Sequence, residues 1–123
     1  PLLTKEMIHN IIREVKEYKA IAVGVPVKDT IKDVNDKDFI IDTPNREDLI
    51  AIQTPQAFFR PLILKAYQQA IENEVSGTDS ASLVERMDIA VKVIEGSYEN
   101  IKITTPEDLE FAERIIARRN KWE

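Results

Sequence analysis

Ile41 to Phe58 reads IDTPNREDLIAIQTPQAF. Two extended apolar runs, Phe39-Ile40-Ile41 and Leu49 to Gln53, flank a turn at Thr43-Pro44-Asn45-Arg46. The second run enters Gln53-Thr54-Pro55-Gln56, and Pro55 is predicted to end the strand because proline has no N–H to give a ladder. Polar residues at the point where a strand gives way to a turn carry ligands more often than packing.

Upstream, Ala20 to Val27 (AIAVGVPV) is continuously apolar. A strand buried on both faces reads this way, and such strands belong to parallel sheets. Thr4 is an N-cap candidate for the preceding helix, with Leu3 and Ile8 spaced as a hydrophobic staple. Ile8, Ile11, Ile12 and Val15 form its predicted apolar face. Residues 28–43 read as a two-stranded arm with a polar turn at Asp33 to Asp38. A lone hairpin is marginal in water, so a partner subunit is one answer to what it lies on.

Downstream, Pro61 suits the first turn of a helix whose predicted stripe is Ile63, Tyr67, Ala70 and Ile71. Ser76-Gly77 breaks it, and Thr78 is the predicted cap of a short helix holding Ala81, Leu83 and Val84. Ala90 to Ile94 reads as a strand, and Ile101 to Thr104 alternates so that Lys102 and Thr104 share a face. Thr105-Pro106-Glu107-Asp108 combines a cap, proline at N1 and acids against the helix dipole. Leu109, Ala112, Ile115 and Ile116 would pack inward, with Arg118, Arg119 and Lys121 at the negative end. The order is helix, strand, arm, strand, helix, helix, strand, helix: an α/β fold with a mostly parallel sheet.

Composition narrows the chemistry. Among 123 residues, 17 are basic and 22 acidic, a net charge of -5. An open nucleic-acid surface needs a basic footprint and is not expected. The absence of cysteine removes disulfides, thiolate nucleophiles and cysteine zinc sites. The single histidine, His9, makes a histidine metal site or a Ser-His pair improbable and reads as a surface residue. No apolar run approaches the roughly 20 residues of a membrane span. A cytoplasmic protein is the plain expectation. The chain begins at Pro1, which suggests processing or a piece of a longer chain.

Basic residues near strand ends are the candidates for chemistry. Lys102 precedes a well-capped helix and could offer phosphate a fixed positive charge; a solvated edge lysine is the bland alternative. Arg46 could grip phosphate bidentately, or simply pair with Glu47 or Asp48. Thr30, Thr54 and Thr78 could donate to phosphate or sugar oxygens, or serve as strand, turn and cap residues. Asp79, Asp88, Glu107 and Asp108 give no paired-carboxylate signature. With only Gly24, Gly77 and Gly96, there is no glycine-rich phosphate loop.

Four segments taken together resemble one family: Pro26-Val27-Lys28-Asp29-Thr30-Ile31-Lys32; Thr43-Pro44-Asn45-Arg46 with Gln53-Thr54-Pro55-Gln56-Ala57-Phe58; Gly77-Thr78-Asp79-Ser80-Ala81-Ser82; and Glu95-Gly96-Ser97-Tyr98-Glu99-Asn100-Ile101-Lys102-Ile103-Thr104. Their order is similar to the C-terminal half of the 2-C-methyl-D-erythritol 4-phosphate cytidylyltransferases of non-mevalonate isoprenoid biosynthesis. The resemblance implies a three-layer Rossmann-like nucleotidyltransferase fold whose N-terminal strands, with the CTP loop, are missing. Residues 1–123 would be the C-terminal part of one domain, and residues 28–48 a dimerisation β-arm within it. It implies transfer of a cytidylyl group from CTP to the sugar-alcohol phosphate, with Mg2+ present, in a homodimer. Arg46 and Lys102 would be catalytic, Arg46 reaching into the partner's site. Thr30, Arg46, Thr54, Thr78 and Lys102 would bind substrate. Ser80 departs from the acid usual after Thr78-Asp79, and the chain alone would be inactive. A ribitol-5-phosphate (pentitol phosphate) cytidylyltransferase and a non-catalytic dimerisation module are the alternatives.

Overall fold

A computed structural model describes residues 2–120. Helix α1 (Lys5–Tyr18) leads into strand β1 (Ala20–Pro26). Strands β2 (Asp33–Val34) and β3 (Ile40–Asp42) form a separate antiparallel pair, and a 3-10 turn (Arg46–Asp48) leads into β4 (Ile50–Phe58). Helices α2 (Arg60–Glu72) and α3 (Ser80–Glu85), strand β5 (Lys92–Glu95) and helix α4 (Pro106–Arg119) complete the order. It matches the predicted sequence of elements.

The main sheet is β4-β1-β5. β1 runs parallel to β5 and antiparallel to β4, so the described sheet is mixed rather than mostly parallel. Connection length explains the difference. From β1 the chain returns through the arm with no helical crossover, which brings β4 back antiparallel; β5 follows two helices and can lie parallel.

β1 is buried from Ala20 to Val25, as its apolar run predicts. Alternate side chains serve opposite faces. Ile21 and Val23 pack with Ile11, Met7 and Val15 of α1, whereas Ala20 packs with Ala66, Leu83 and Val84 of α2 and α3. Helices therefore cover both faces. A third cluster joins Leu2, Ala112 and Ile115 to Ile101 and Ile103.

The starts of α1 and α4 were legible. The Thr4 hydroxyl accepts from the Met7 N–H at 3.2 Å. Thr105 caps α4, where Pro106 is the first residue and Asp108 closes a capping box. Helix faces were read less well. Ile8 and Ile12 on α1 and Leu109 and Ile116 on α4 are exposed, leaving Ile11, Ala112 and Ile115 as the buried positions. On α2, Tyr67 and Ile71 face outward; Ala66 is buried, with Leu62, Ile63 and Ala70 against the same cluster. Apolar residues nearly encircle α2, so periodicity alone could not choose its face. Lys121 lies outside the described residues.

Four further expectations need correction. β4 does not stop at Pro55 but continues to Phe58. Ala22 pairs with Gln56 and Val23 with Gln53, so Thr54 and Pro55 are looped out of the ladder. A bulge of this kind tolerates a residue without an N–H. The arm pairs only over β2 and β3, with Asp33 and Val34 in a strand rather than in the turn. The Asn35 side-chain oxygen accepts from Lys37 and Phe39 N–H groups, each at 3.0 Å, fixing the tip. The predicted strand at residues 90–94 begins only at Lys92. Residues 101–104 form no strand, so Lys102 stands on an extended segment rather than at a strand end.

Candidate functional site

The bulge in β4 forms one wall of an open pocket of about 520 Å³. Its other walls are the turn before α3 and the segment after β5, and its lining includes Thr54, Thr78 and Lys102. Three of the five sequence candidates thus converge from segments far apart in the chain. Thr54 owes its place to the bulge, because looped-out residues are re-aimed away from the ladder. Lys102 is flanked by Ile101 and Ile103, which pack toward α4 and leave the lysine exposed on the pocket side. Among the described lining residues, Lys102 is the only basic one.

Arg46 and Thr30 do not line this pocket. Arg46 opens the 3-10 turn after the arm, and its Nη1 donates to the Lys28 carbonyl at 2.9 Å. Among the described residues it makes no ion pair with Glu47 or Asp48. Thr30 is exposed at the root of the arm.

Side-chain amides tie the three walls together. Gln53 donates from Nε2 to the Ser97 carbonyl at 2.8 Å and accepts from the Ser97 N–H at 3.3 Å. Asn100 donates from Nδ2 to the Thr54 carbonyl at 2.7 Å. Gln56 donates to an Asp79 carboxylate oxygen and accepts from the Ala81 N–H at 3.0 Å. Gly96 lies where a Cβ would come within 2.4 Å of the Gln53 side-chain oxygen and 2.8 Å of Val23 Cγ1. Its own N–H donates to the Gly24 carbonyl at 2.8 Å.

Asp79, not Thr78, is the N-cap of α3, with Ser82 completing a capping box. The two adjacent residues both suit a cap by type; Gln56 and Ser82 select Asp79. Partial burial pushes the Asp79 carboxyl up, but the Ser82 N–H, the Gln56 amide and the Ser82 hydroxyl outweigh it and leave its pKa below the ordinary value. Thr78 is left exposed at the pocket. The bracketing roles of Gln53, Gln56 and Asn100 escaped the sequence reading. The only signal was two glutamines placed on either side of Thr54-Pro55.

The donor set can orient an oxyanion: two hydroxyls and an ammonium beside a carboxylate that is already hydrogen-bonded. Among the described residues no group of three or more His, Cys, Asp or Glu could close around a metal ion. No helix of the described residues is long and apolar enough to cross a membrane.

Comparison with known proteins gives the family. The profile described as 2-C-methyl-D-erythritol 4-phosphate cytidylyltransferase matches residues 1–118. The chain belongs to the 2-C-methyl-D-erythritol 4-phosphate cytidylyltransferase family. It is 53% identical over 122 residues to the enzyme of that name from Desulforamulus reducens, covering 99% of this chain and 52% of the relative. Against the enzyme from Caldanaerobacter subterraneus subsp. tengcongensis it is 56% identical over 118 residues, covering 96% of this chain and 52% of the relative. The crystal structure of 4-diphosphocytidyl-2C-methyl-D-erythritol synthase from Anaerococcus prevotii matches with a TM-score of 0.87 at 38% identity, covering 95% of this chain and 54% of that one. The chain thus spans about half the length of the curated family members it matches.

Proposed function

We propose that this chain is the substrate-recognition and dimerisation half of an enzyme that makes 4-diphosphocytidyl-2-C-methyl-D-erythritol and pyrophosphate from CTP and 2-C-methyl-D-erythritol 4-phosphate. One observation carries the reading: Thr54, Thr78 and Lys102 meet at a single pocket in a chain of this family. The sugar phosphate sits there, its oxygens taking hydrogen bonds from the two threonines and charge from the Lys102 ammonium. A phosphate oxygen attacks the α-phosphorus of CTP. A new P–O bond forms as the bond to the β-phosphate oxygen breaks, and pyrophosphate leaves with the electron pair. Such a transfer needs positioning and cationic stabilisation rather than covalent help from the protein. Mg2+ bound with CTP would supply further charge neutralisation at the phosphates, while Lys102, Thr54 and Thr78 hold the sugar phosphate.

Arg46 and Thr30 act in trans. The arm carries exposed Val34, Phe39, Ile40 and Ile41, and a second copy of the chain is the surface they cover. In the homodimer the arm delivers Arg46, a bidentate phosphate ligand by chemistry, to the partner's pocket. The finer fold is a three-layer Rossmann-like nucleotidyltransferase domain with a mostly parallel sheet when complete. Residues 1–123 are its C-terminal part and 28–48 its dimerisation arm. The parallel β1–β5 pair and helices on both faces support this. The setting is cytoplasmic.

The test is a coupled pyrophosphate-release assay on the full-length gene product, supplied with CTP and either methylerythritol phosphate or ribitol phosphate. Turnover with the first is expected. Turnover confined to the pentitol phosphate would overturn the substrate, and none with either would overturn the reaction.

A further inference from the structure

We infer that Gln53 and Gln56 are positioning residues, which set the spacing of the pocket walls that carry Lys102 and Thr78. This rests on the proposed reading of the pocket and adds two of its lining residues, whose side-chain amides are spent on the neighbouring walls. They flank the looped-out Thr54-Pro55 pair, one at each point where β4 re-enters the ladder with β1. From these points their side chains reach in different directions.

Gln53 uses both ends of its amide on one residue, Ser97. That fixes the start of the 97–102 segment, and the Asn100 bond to the Thr54 carbonyl fixes its middle. Lys102 follows two residues later. Gln56 uses both ends of its amide on the start of α3, taking the cap Asp79 and Ala81 in the first turn. Thr78 is the next residue outward. Each bracket spans a large gap in sequence, 44 residues for Gln53 and 25 for Gln56. Neither is part of a sheet ladder or a helix. A two-ended amide fixes orientation as well as distance, which a single hydrogen bond does not. The cores of α3 and α4 are packed by Leu83, Val84, Ala112 and Ile115 without either glutamine. Their loss should therefore move pocket walls rather than unfold the chain.

The experiment replaces each glutamine in the full-length gene product. Gln53→Met and Gln56→Met keep side-chain length and remove the amide; Gln53→Ala and Gln56→Ala remove both. Displacement of reacting groups by about 1 Å costs up to roughly 100-fold in rate. Each methionine variant should lose about 10- to 100-fold in kcat/KM, mostly through a higher KM for the sugar phosphate, at temperatures well below melting. Methionine should be no better than alanine. In a Lys102→Ala background Gln53→Met should cost little more, and likewise Gln56→Met in a Thr78→Ala background, because residues acting through one another are not additive.

Retained KM in the methionine variants, rescue by methionine relative to alanine, or full additivity in both cycles would overturn the inference. A second measurement is independent of turnover. Amide exchange should quicken at Ser97 in Gln53→Met and at Ala81 in Gln56→Met, the two N–H groups the glutamines accept from. If the unmodified protein turns over neither sugar phosphate, the reaction has been misread. Unchanged exchange at both amides would then overturn the positioning role separately.

Discussion

Lys28 Nζ lies 3.7 Å from the centroid of the Tyr98 ring, and the Tyr98 hydroxyl donates to the Pro26 carbonyl at 2.7 Å. The root of the arm is thereby held against the turn that leads to Lys102. Arg46 reaches the same root through its bond to the Lys28 carbonyl.

Tyr98→Phe should lower stability by about 0.5–1.5 kcal/mol, the range for one hydrogen bond. Tyr98→Ala should cost more, since the ring under Lys28 goes as well. Urea titration measures both. Amide exchange at Val27, whose N–H donates to the Leu49 carbonyl at 3.3 Å, should quicken in the order wild type, phenylalanine, alanine.

Arg46→Ala and Lys102→Ala should each cut turnover of the full-length enzyme by about 10²–10³-fold, the usual effect of deleting one electrostatic contact to a transition state. Both side chains are exposed, so melting temperatures should stay near wild type. Because Arg46 is proposed to serve the partner's pocket, mixing the two inactive proteins and allowing subunits to exchange should restore activity. Mixed dimers would carry one intact site. Continued inactivity after proven exchange would place both residues in the same subunit's site.

Gly96→Ala should destabilise the protein by about 1–3 kcal/mol, the usual range for overpacking. The added methyl would meet the Gln53 oxygen, which is tied to Ser97, and a branched core side chain, Val23. The same substitution in the full-length gene product should raise KM for the proposed sugar-phosphate substrate, because relief of the clash pushes Gln53 off Ser97. Steady-state kinetics and a denaturation curve on one preparation check both.

Asp108 takes hydrogen bonds from the Thr104 N–H, the Thr105 N–H and the Thr104 hydroxyl, which lower its pKa from 3.8 to about 2. A carboxyl whose folded pKa is depressed stabilises the fold fully above its unfolded value and loses that effect as pH falls through the folded value. The stability gap between wild type and Asp108→Asn should be constant above about pH 5 and close between pH 4 and 2. Urea midpoints across that range measure it.

Local signals were legible because they need only neighbours in sequence. Thr4, Thr105-Pro106 and the Ala20 to Val27 run announced a cap, a second cap and a strand, which is buried from Ala20 to Val25. The failures lie where distant partners decide. Pro55 looked like a terminator until β1 took up pairing again beyond it. Thr78 was the predicted cap, but Gln56 reaches across from β4 to Asp79, which takes the role instead. Lys102 and Thr54 could be singled out by residue type, but the amides that join their segments could not, since nothing near Gln53 in the sequence mentions Ser97.

The arm sets two selections against each other. Phe39, Ile40 and Ile41 are each at least 61% exposed in the single chain, and charged replacements there would disturb no core. A library sorted for yield or resistance to aggregation should enrich lysine and glutamate at these positions. A library of the full-length gene sorted for the proposed cytidylyltransferase activity should purge the same variants. The sign of the fitness effect at three residues thus reports whether the arm works alone or in company.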